Sequence, residues 1–327
     1  MIFRQSDFLQ SRCPLLVVCA VAAVILLAAG GCKQELQAPP KFLFSIESSD
    51  EFALDSPEGI SISTQGEIII ADTGQDRILK MVSEKGGNKP RIEQIWGGFG
   101  TDPGQLSAPS DVAVDPQGNI YVSDTWNHRV QSFSPEGRLL KQWGKKANVW
   151  DPKDDELFYP KGITIDSDMN IYVVDTPDHR IVKYLSQGGK AQVLGEEGKT
   201  SGRFHSPLDV AAGPSENLYV SDTGNNRVQE LDLNGDYRNK WGTEGSEPGQ
   251  FKRPSGVAAD AEARVYVVDS GNHRVQVFDA SGDLITMFGK RGNGPGEFES
   301  PESIAVGPEG KICVLDWGNN RIQVFQF

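Results

Sequence analysis

The stretch Asp222-Thr-Gly-Asn-Asn-Arg227 decides the fold, because the chain writes it six times. The other copies are Asp72-Thr-Gly-Gln-Asp-Arg77, Asp124-Thr-Trp-Asn-His-Arg129, Asp175-Thr-Pro-Asp-His-Arg180, Asp269-Ser-Gly-Asn-His-Arg274 and Asp316-Trp-Gly-Asn-Asn-Arg321. Each is preceded by an apolar run such as Val265-Tyr266-Val267-Val268 and followed by an alternating one such as Val275-Gln276-Val277-Phe278. Strand, polar turn, strand is the signature of a hairpin. Working outward, a proline stands 15 residues before every repeat Asp: Pro57, Pro109, Pro160, Pro207, Pro254 and Pro301. A short strand of small apolar residues follows each proline. The fixed-length unit is therefore two adjacent strands and their turns, while the repeat spacing itself drifts between 47 and 52 residues. Rigid length suits the innermost positions of a radial sheet, with the insertions placed in outer connections.

A fourth strand ends in a bulky residue before or near Gly: Trp96, Trp143, Leu194, Trp241 and Phe288. Only five such strands follow a repeat Arg, since the chain stops at Phe327. Phe44 precedes Pro57 by the same 13 residues that separate Trp241 from Pro254. Phe42 to Ile46 is therefore expected to pair beside Ile322 to Phe325, completing the sixth unit and removing an open edge. The expected class is all-β, with six four-stranded antiparallel blades in a closed ring. This pattern resembles the NHL-repeat family of six-bladed β-propellers over residues 41–327.

Composition agrees. The 327 residues are 38% hydrophobic and 24% charged, and 36 Gly with 19 Pro punctuate the backbone densely, as short strands and tight turns require. Lys plus Arg is 32 against 45 Asp plus Glu, a net charge of -13, which opposes nucleic acid as a partner.

The start of the chain reads as an address. Arg4 and Arg12 precede an uncharged apolar run from Cys13 to Gly31, ending Ala28-Ala29-Gly30-Gly31-Cys32. A basic start, an apolar middle and small residues at the close make a secretory signal. A Cys directly after the small residues resembles a bacterial lipoprotein signal. The resemblance implies removal of residues 1–31, lipidation of Cys32, a polar tether over 32–40, and a monomer held in the cell envelope. With Lys33 after the Cys, it implies the outer membrane, facing periplasm or surface. Cys313, in the apolar run Ile312-Cys313-Val314-Leu315, reads as a small buried hydrophobe.

A catalytic residue is needed once, whereas the pairs Asp72/Arg77, Asp124/Arg129, Asp175/Arg180, Asp222/Arg227, Asp269/Arg274 and Asp316/Arg321 occur in every unit, so their expected role is structural. His128, His179 and His273 share one turn slot on different units and are expected as polar turn residues rather than zinc ligands. Trp126 and Trp317 stand in two of these turns as candidate rim contacts. Function is expected where the units differ. At the start of the innermost strands, Glu58, Asp111, Lys161, Asp209 and Glu302 form a candidate binding ring at the channel mouth, suited to a cation or a cationic peptide. Some relatives by resemblance are enzymes: an amidating lyase uses zinc on inward histidines, two following the innermost proline, and lactonases use a central Ca²⁺. The positions after the prolines here hold Glu58, Ser110, Lys161, Leu208, Ser255 and Glu302, without His. The expectation is a lipid-anchored binding or scaffold propeller without a cofactor, serving an envelope protein, peptide or glycan. The alternative is a metal-dependent (Ca or Zn) lyase or hydrolase.

Overall fold

A computed structural model describes residues 36–48, 53–83, 90–146, 155–188 and 191–327. Residues 1–31, Cys32 and the first part of the expected tether lie outside the described residues. The described chain folds into six four-stranded antiparallel sheets. Five blades are sequential, the first running from Gly59–Ile62 through Ile68–Asp72 and Arg77–Val82 to Arg91–Gly97. The sixth takes Ser303–Val306, Lys311–Asp316 and Arg321–Gln326 from the end of the chain and Lys41–Glu47 from its beginning. Phe42 pairs with Phe325, Phe44 with Val324 and Ile46 with Ile322, with a register shift between Phe42 and Phe44. The ring thus closes on the strand expected from the proline interval. Just before it, Gln37 donates its amide to the Ile285 carbonyl, and Thr286 Oγ1 donates to the Gln37 carbonyl at 2.8 Å. The last residues of the stretch expected to be a tether therefore lie against the outer strand of blade 5.

The second strand of each blade is buried on both faces, as in Ile68–Asp72 and Val265–Asp269, because each sheet is packed between two others. The core is accordingly divided into clusters that lie between neighbouring blades. One joins Ile60, Ile70 and Leu79 of blade 1 to Leu315, Ile322 and Val324 of blade 6. Another joins Val228 and Phe251 to Val257 and Val267, across blades 4 and 5. Antiparallel alternation puts the proline start of the innermost strand, the repeat turn and the end of the outer strand at one end of every blade. Three-residue 3₁₀ turns form the six hairpins, and the following residue is left-handed, with φ between 48° at Asn320 and 57° at His128. Asp, Asn and His occupy that position, the residues that tolerate it best.

Candidate channel-mouth binding site

The repeat Asp and Arg form the frame. In blade 2, Asp124 accepts the Ser107 amide on Oδ1 at 2.7 Å and the Arg129 Nε on Oδ2 at 2.7 Å. Arg129 spends its remaining donors on the carbonyls of Thr101, Asp102 and Gln105, in the connector from blade 1. The same Asp–Arg contact closes at 2.7 Å in Asp72/Arg77, 2.6 Å in Asp222/Arg227, 2.7 Å in Asp269/Arg274 and 2.8 Å in Asp316/Arg321. Asp175 and Arg180 pair at 3.0 Å. Burial pushes the Asp175 carboxyl up to about 7, and the Asp178 carboxylate beside it adds to the shift. Two further members of this frame are absent from the sequence reading. Gln131, Gln229, Gln276 and Gln323 each donate to the repeat Asp and to a connector carbonyl. Asn127, Asn225, Asn272 and Asn319 tie the turn to the same Asp. The signal was available: both residue types occur only in the four blades whose connector carries Gly-x-Phe or Gly-x-Leu just before the proline. Those connectors plug the gap between blades with fully buried Leu106, Phe204, Phe251 and Phe298.

The residue before each proline is left-handed as well: Ser56, Ala108, Tyr159, Ser206, Arg253 and Ser300 have φ between 46° and 58°. Proline disfavours helical conformations in its predecessor, and left-handed non-Gly residues are strained. The turn slot of the preceding blade offsets this by taking up the strained residue's amide. Asp76 Oδ1 accepts from Ala108 at 2.7 Å, His128 Nδ1 from Tyr159 at 3.2 Å, His179 Nδ1 from Ser206 at 2.8 Å, Asn226 Oδ1 from Arg253 at 2.9 Å and His273 Nδ1 from Ser300 at 3.1 Å. The three histidines are thus placed in interblade contacts. His179, Glu197 and His205 do bring ligand atoms within 4.8 Å of one another, and the two rings stack at 5.2 Å. Yet a metal-bound imidazole donates from its other nitrogen, whereas His179 Nδ1 already accepts an amide proton, which leaves Nε2 protonated. That chemistry does not fit zinc.

At the mouth the structure brings together all five ring residues named from the sequence. Glu58, Asp111, Lys161, Asp209 and Glu302 line one cavity of about 310 Å³, within the range of small-ligand sites. Arg253, which precedes its proline and so escaped the ring, lines it too, as does Trp317. Trp126 is 67% exposed and is not among the lining residues. Across the mouth, Lys161 Nζ bonds Glu58 Oε2 at 2.8 Å, and Arg253 Nη2 bonds Glu302 Oε1 at 2.7 Å. Asp111 and Asp209 lie deeper, at the throat, and line the channel below as well as the mouth. Among the described residues no cation is paired with either. Asp111 Oδ2 accepts the Ile163 amide at 2.9 Å, and Asp209 Oδ2 accepts that of Val257 at 2.8 Å. Burial raises both carboxyls: Asp209 to about 7, and Asp111 well above the usual carboxylate range, with Asp209 and then Glu58 adding repulsion.

An alternation along the six innermost strands places this pair. The residues two after the prolines are Gly59, Asp111, Gly162, Asp209, Gly256 and Ser303. A Cβ on Gly59 would collide with Asp111, one on Gly162 with Asp209, and one on Gly256 with Ser303. The odd blades therefore leave room for the even blades to press inward, and two of those three inward positions carry carboxylates.

Family comparisons point the same way as the blades. NHL-repeat models match residues 106–133 and 204–231, and a model described as a 6-bladed beta-propeller matches residues 250–327. The chain is a six-bladed β-propeller that carries NHL repeats. A peptidyl-glycine α-amidating monooxygenase of Mus musculus is 30% identical over 146 residues, 42% of this chain and 14% of that protein. A Caenorhabditis elegans protein named as a peptidyl-α-hydroxyglycine α-amidating lyase is 31% identical over 136 residues, 40% of this chain and 37% of that protein. The propeller thus matches only a minor part of these curated relatives' length. Among solved structures, a gluconolactonase from Xanthomonas campestris superposes with a TM-score of 0.61 at 13% identity, covering 89% of this chain and 96% of the other, a likeness of fold. The mouth's side chains do not fit the zinc or calcium expected from the enzymes that the repeat resembles. The positions after the innermost prolines carry no imidazole for zinc. For calcium, which takes six to eight oxygens, Lys161 and Arg253 already neutralise the two glutamates, which leaves two throat carboxylates as the mouth's uncompensated acidic groups.

Proposed function

We propose that this NHL propeller is a binding module whose channel mouth takes up an organic cation, such as the basic side chain of a peptide from an envelope partner. The observation that carries the reading is the throat pair. Counting Glu58, Asp111, Asp209 and Glu302 against Lys161 and Arg253 leaves the cavity two negative charges in excess when both aspartates are ionised. The glutamates have their counter-cations and the aspartates do not, so the throat, when ionised, offers charge that a bound cation neutralises. A rigid ring holds these groups in place, which spares the ligand the ordering cost. Calorimetric titration of the full chain with N-acetyl-arginine amide tests this. One molecule should bind per chain, and Asp111→Asn with Asp209→Asn should weaken binding about tenfold or more, since a buried charged contact is lost. Unchanged affinity in that double variant contradicts the reading.

A second reading rests on Asp209. A carboxyl raised to about 7 beside another carboxyl is suited to general acid–base work. Similarity to amidating enzymes makes a peptidyl-α-hydroxyglycine the substrate to try. Product formation abolished by Asp209→Asn supports that reading, and no product from the native chain rejects it. By resemblance of its signal, the propeller is proposed to be anchored through lipidated Cys32. Radiolabelled palmitate should enter the native protein and be excluded by Cys32→Ala, and equal labelling of both rejects the anchor.

A further inference from the structure

In five of the six repeat turns, the residue after the Asp is a hydroxyl side chain: Thr73, Thr125, Thr176, Thr223 and Ser270. The four threonines staple consecutive blades. Their Oγ1 atoms donate to the carbonyls of Pro109 at 2.7 Å, Pro160 at 2.8 Å, Pro207 at 2.7 Å and Pro254 at 2.6 Å. From blade 5, Ser255 donates to the Pro301 carbonyl at 3.4 Å. In blade 6 the position belongs to Trp317, which has no hydroxyl to give the equivalent Pro57 carbonyl. The seam where the ring closes thus forgoes a bond that other turns make.

Burial does not compensate for this loss, because Trp317 is 43% exposed. Its side chain instead lines the mouth cavity with Glu58, Arg253 and Glu302. Trp126 supplies the contrast. It stands one position later in its turn, leaves the Thr125 staple intact and is not among the cavity's lining residues. A place where a locally consistent structural rule is broken, with an aromatic turned into a cavity in return, is where function is expected to have overridden construction.

We propose that Trp317 is the specificity-determining wall of the mouth, carrying the apolar stem of an organic cation on its indole face while the charged head sits over Asp111 and Asp209. This rests on the reading of the mouth as a cation site. The indole face covers the stem's methylenes, and Leu208 adds apolar surface in the same cavity. A bare metal ion has no stem to cover. The site therefore selects alkylguanidinium or alkylammonium groups over bare inorganic cations.

Three variants of the full chain, titrated calorimetrically with N-acetyl-arginine amide and separately with Ca²⁺, test the inference. Trp317→Thr should weaken N-acetyl-arginine amide about fivefold, the scale of about one methylene of the stem returned to water, and leave any Ca²⁺ binding as it was. It should also keep the melting temperature or raise it by about a few degrees, because Thr regains the staple to Pro57. Trp317→Phe, which keeps an aromatic face, should retain most of the affinity. Asp209→Asn should weaken the probe irrespective of Trp317. If Trp317→Thr binds the probe like the native chain while Asp209→Asn does not, the inference falls and the mouth remains a cation site. If Trp317→Thr loses affinity and melting temperature together, the indole is a structural part and the inference falls as well. If neither variant alters binding, the reading of the mouth falls with it.

Discussion

Asp124 shows how much one repeated residue does. Its carboxylate is fully buried and answers Ser107, Asn127, Arg129 and Gln131 at once, so the turn, the connector and the third strand are fixed through one side chain. Breaking a buried pair by removing one partner leaves the other uncompensated, which costs roughly 3–5 kcal/mol. Asp124→Ala should therefore destabilise the fold by about that amount in denaturant melts. Asp72→Ala should cost less, because blade 1 has Leu79 where blade 2 has Gln131, and Arg77 is more exposed than Arg129. Equal losses at the two sites would argue against the cooperative network. At the mouth the same residue type does something else. Asp111 and Asp209 are held by amides rather than by Arg, and this difference between frame and throat is chemical rather than positional.

At the scale of elements, the strand Lys41–Glu47 completes blade 6 and covers the edge of Arg321–Gln326. Removing residues 41–47 should expose that edge and strip Phe42, Phe44 and Ile46 from the core clusters. The shortened chain should melt several degrees lower and associate through the bared strand (a few kcal/mol lost in a large fold). An unchanged melting temperature and a monomeric elution profile would contradict the closure. Much at this scale was legible in the sequence. A fixed interval from Pro to Asp and one supernumerary strand gave blade number and closure, since both are properties of the local repeat. The connectors were less legible. Gln131 and its equivalents look like ordinary outward residues of an alternating strand unless they are matched with the Gly-x-Phe or Gly-x-Leu connectors, whose folding-back buries them. Arg253 was missed because it precedes its proline, at a position strained into a left-handed turn that redirects its side chain to the mouth. Trp126 and Trp317 looked alike, because their radial direction depends on which turn position each occupies. The alternation of Gly59, Gly162 and Gly256 with Asp111, Asp209 and Ser303 was in plain sight, but its meaning depends on contact across blades.

At the scale of the whole ring, titration links the throat to its ligand. Burial raises Asp209 to about 7 and Asp111 well above the ordinary range. A carboxyl raised in the folded state favours folding fully below its unfolded pKa, near 4, and loses that contribution as the pH climbs through the folded value. Above neutrality the ionised pair is then a standing cost, which a bound cation offsets. Cation uptake must therefore expel protons around pH 7, and affinity must rise from pH 6 to pH 8. The most direct measurement is calorimetric titration of the full chain with N-acetyl-arginine amide at pH 7 in two buffers of different ionisation enthalpy. The account predicts heats that differ between buffers by the amount for proton release, and that become equal in the Asp111→Asn, Asp209→Asn double variant. Buffer-independent heats in the native chain, or heats that signal proton uptake, would contradict it.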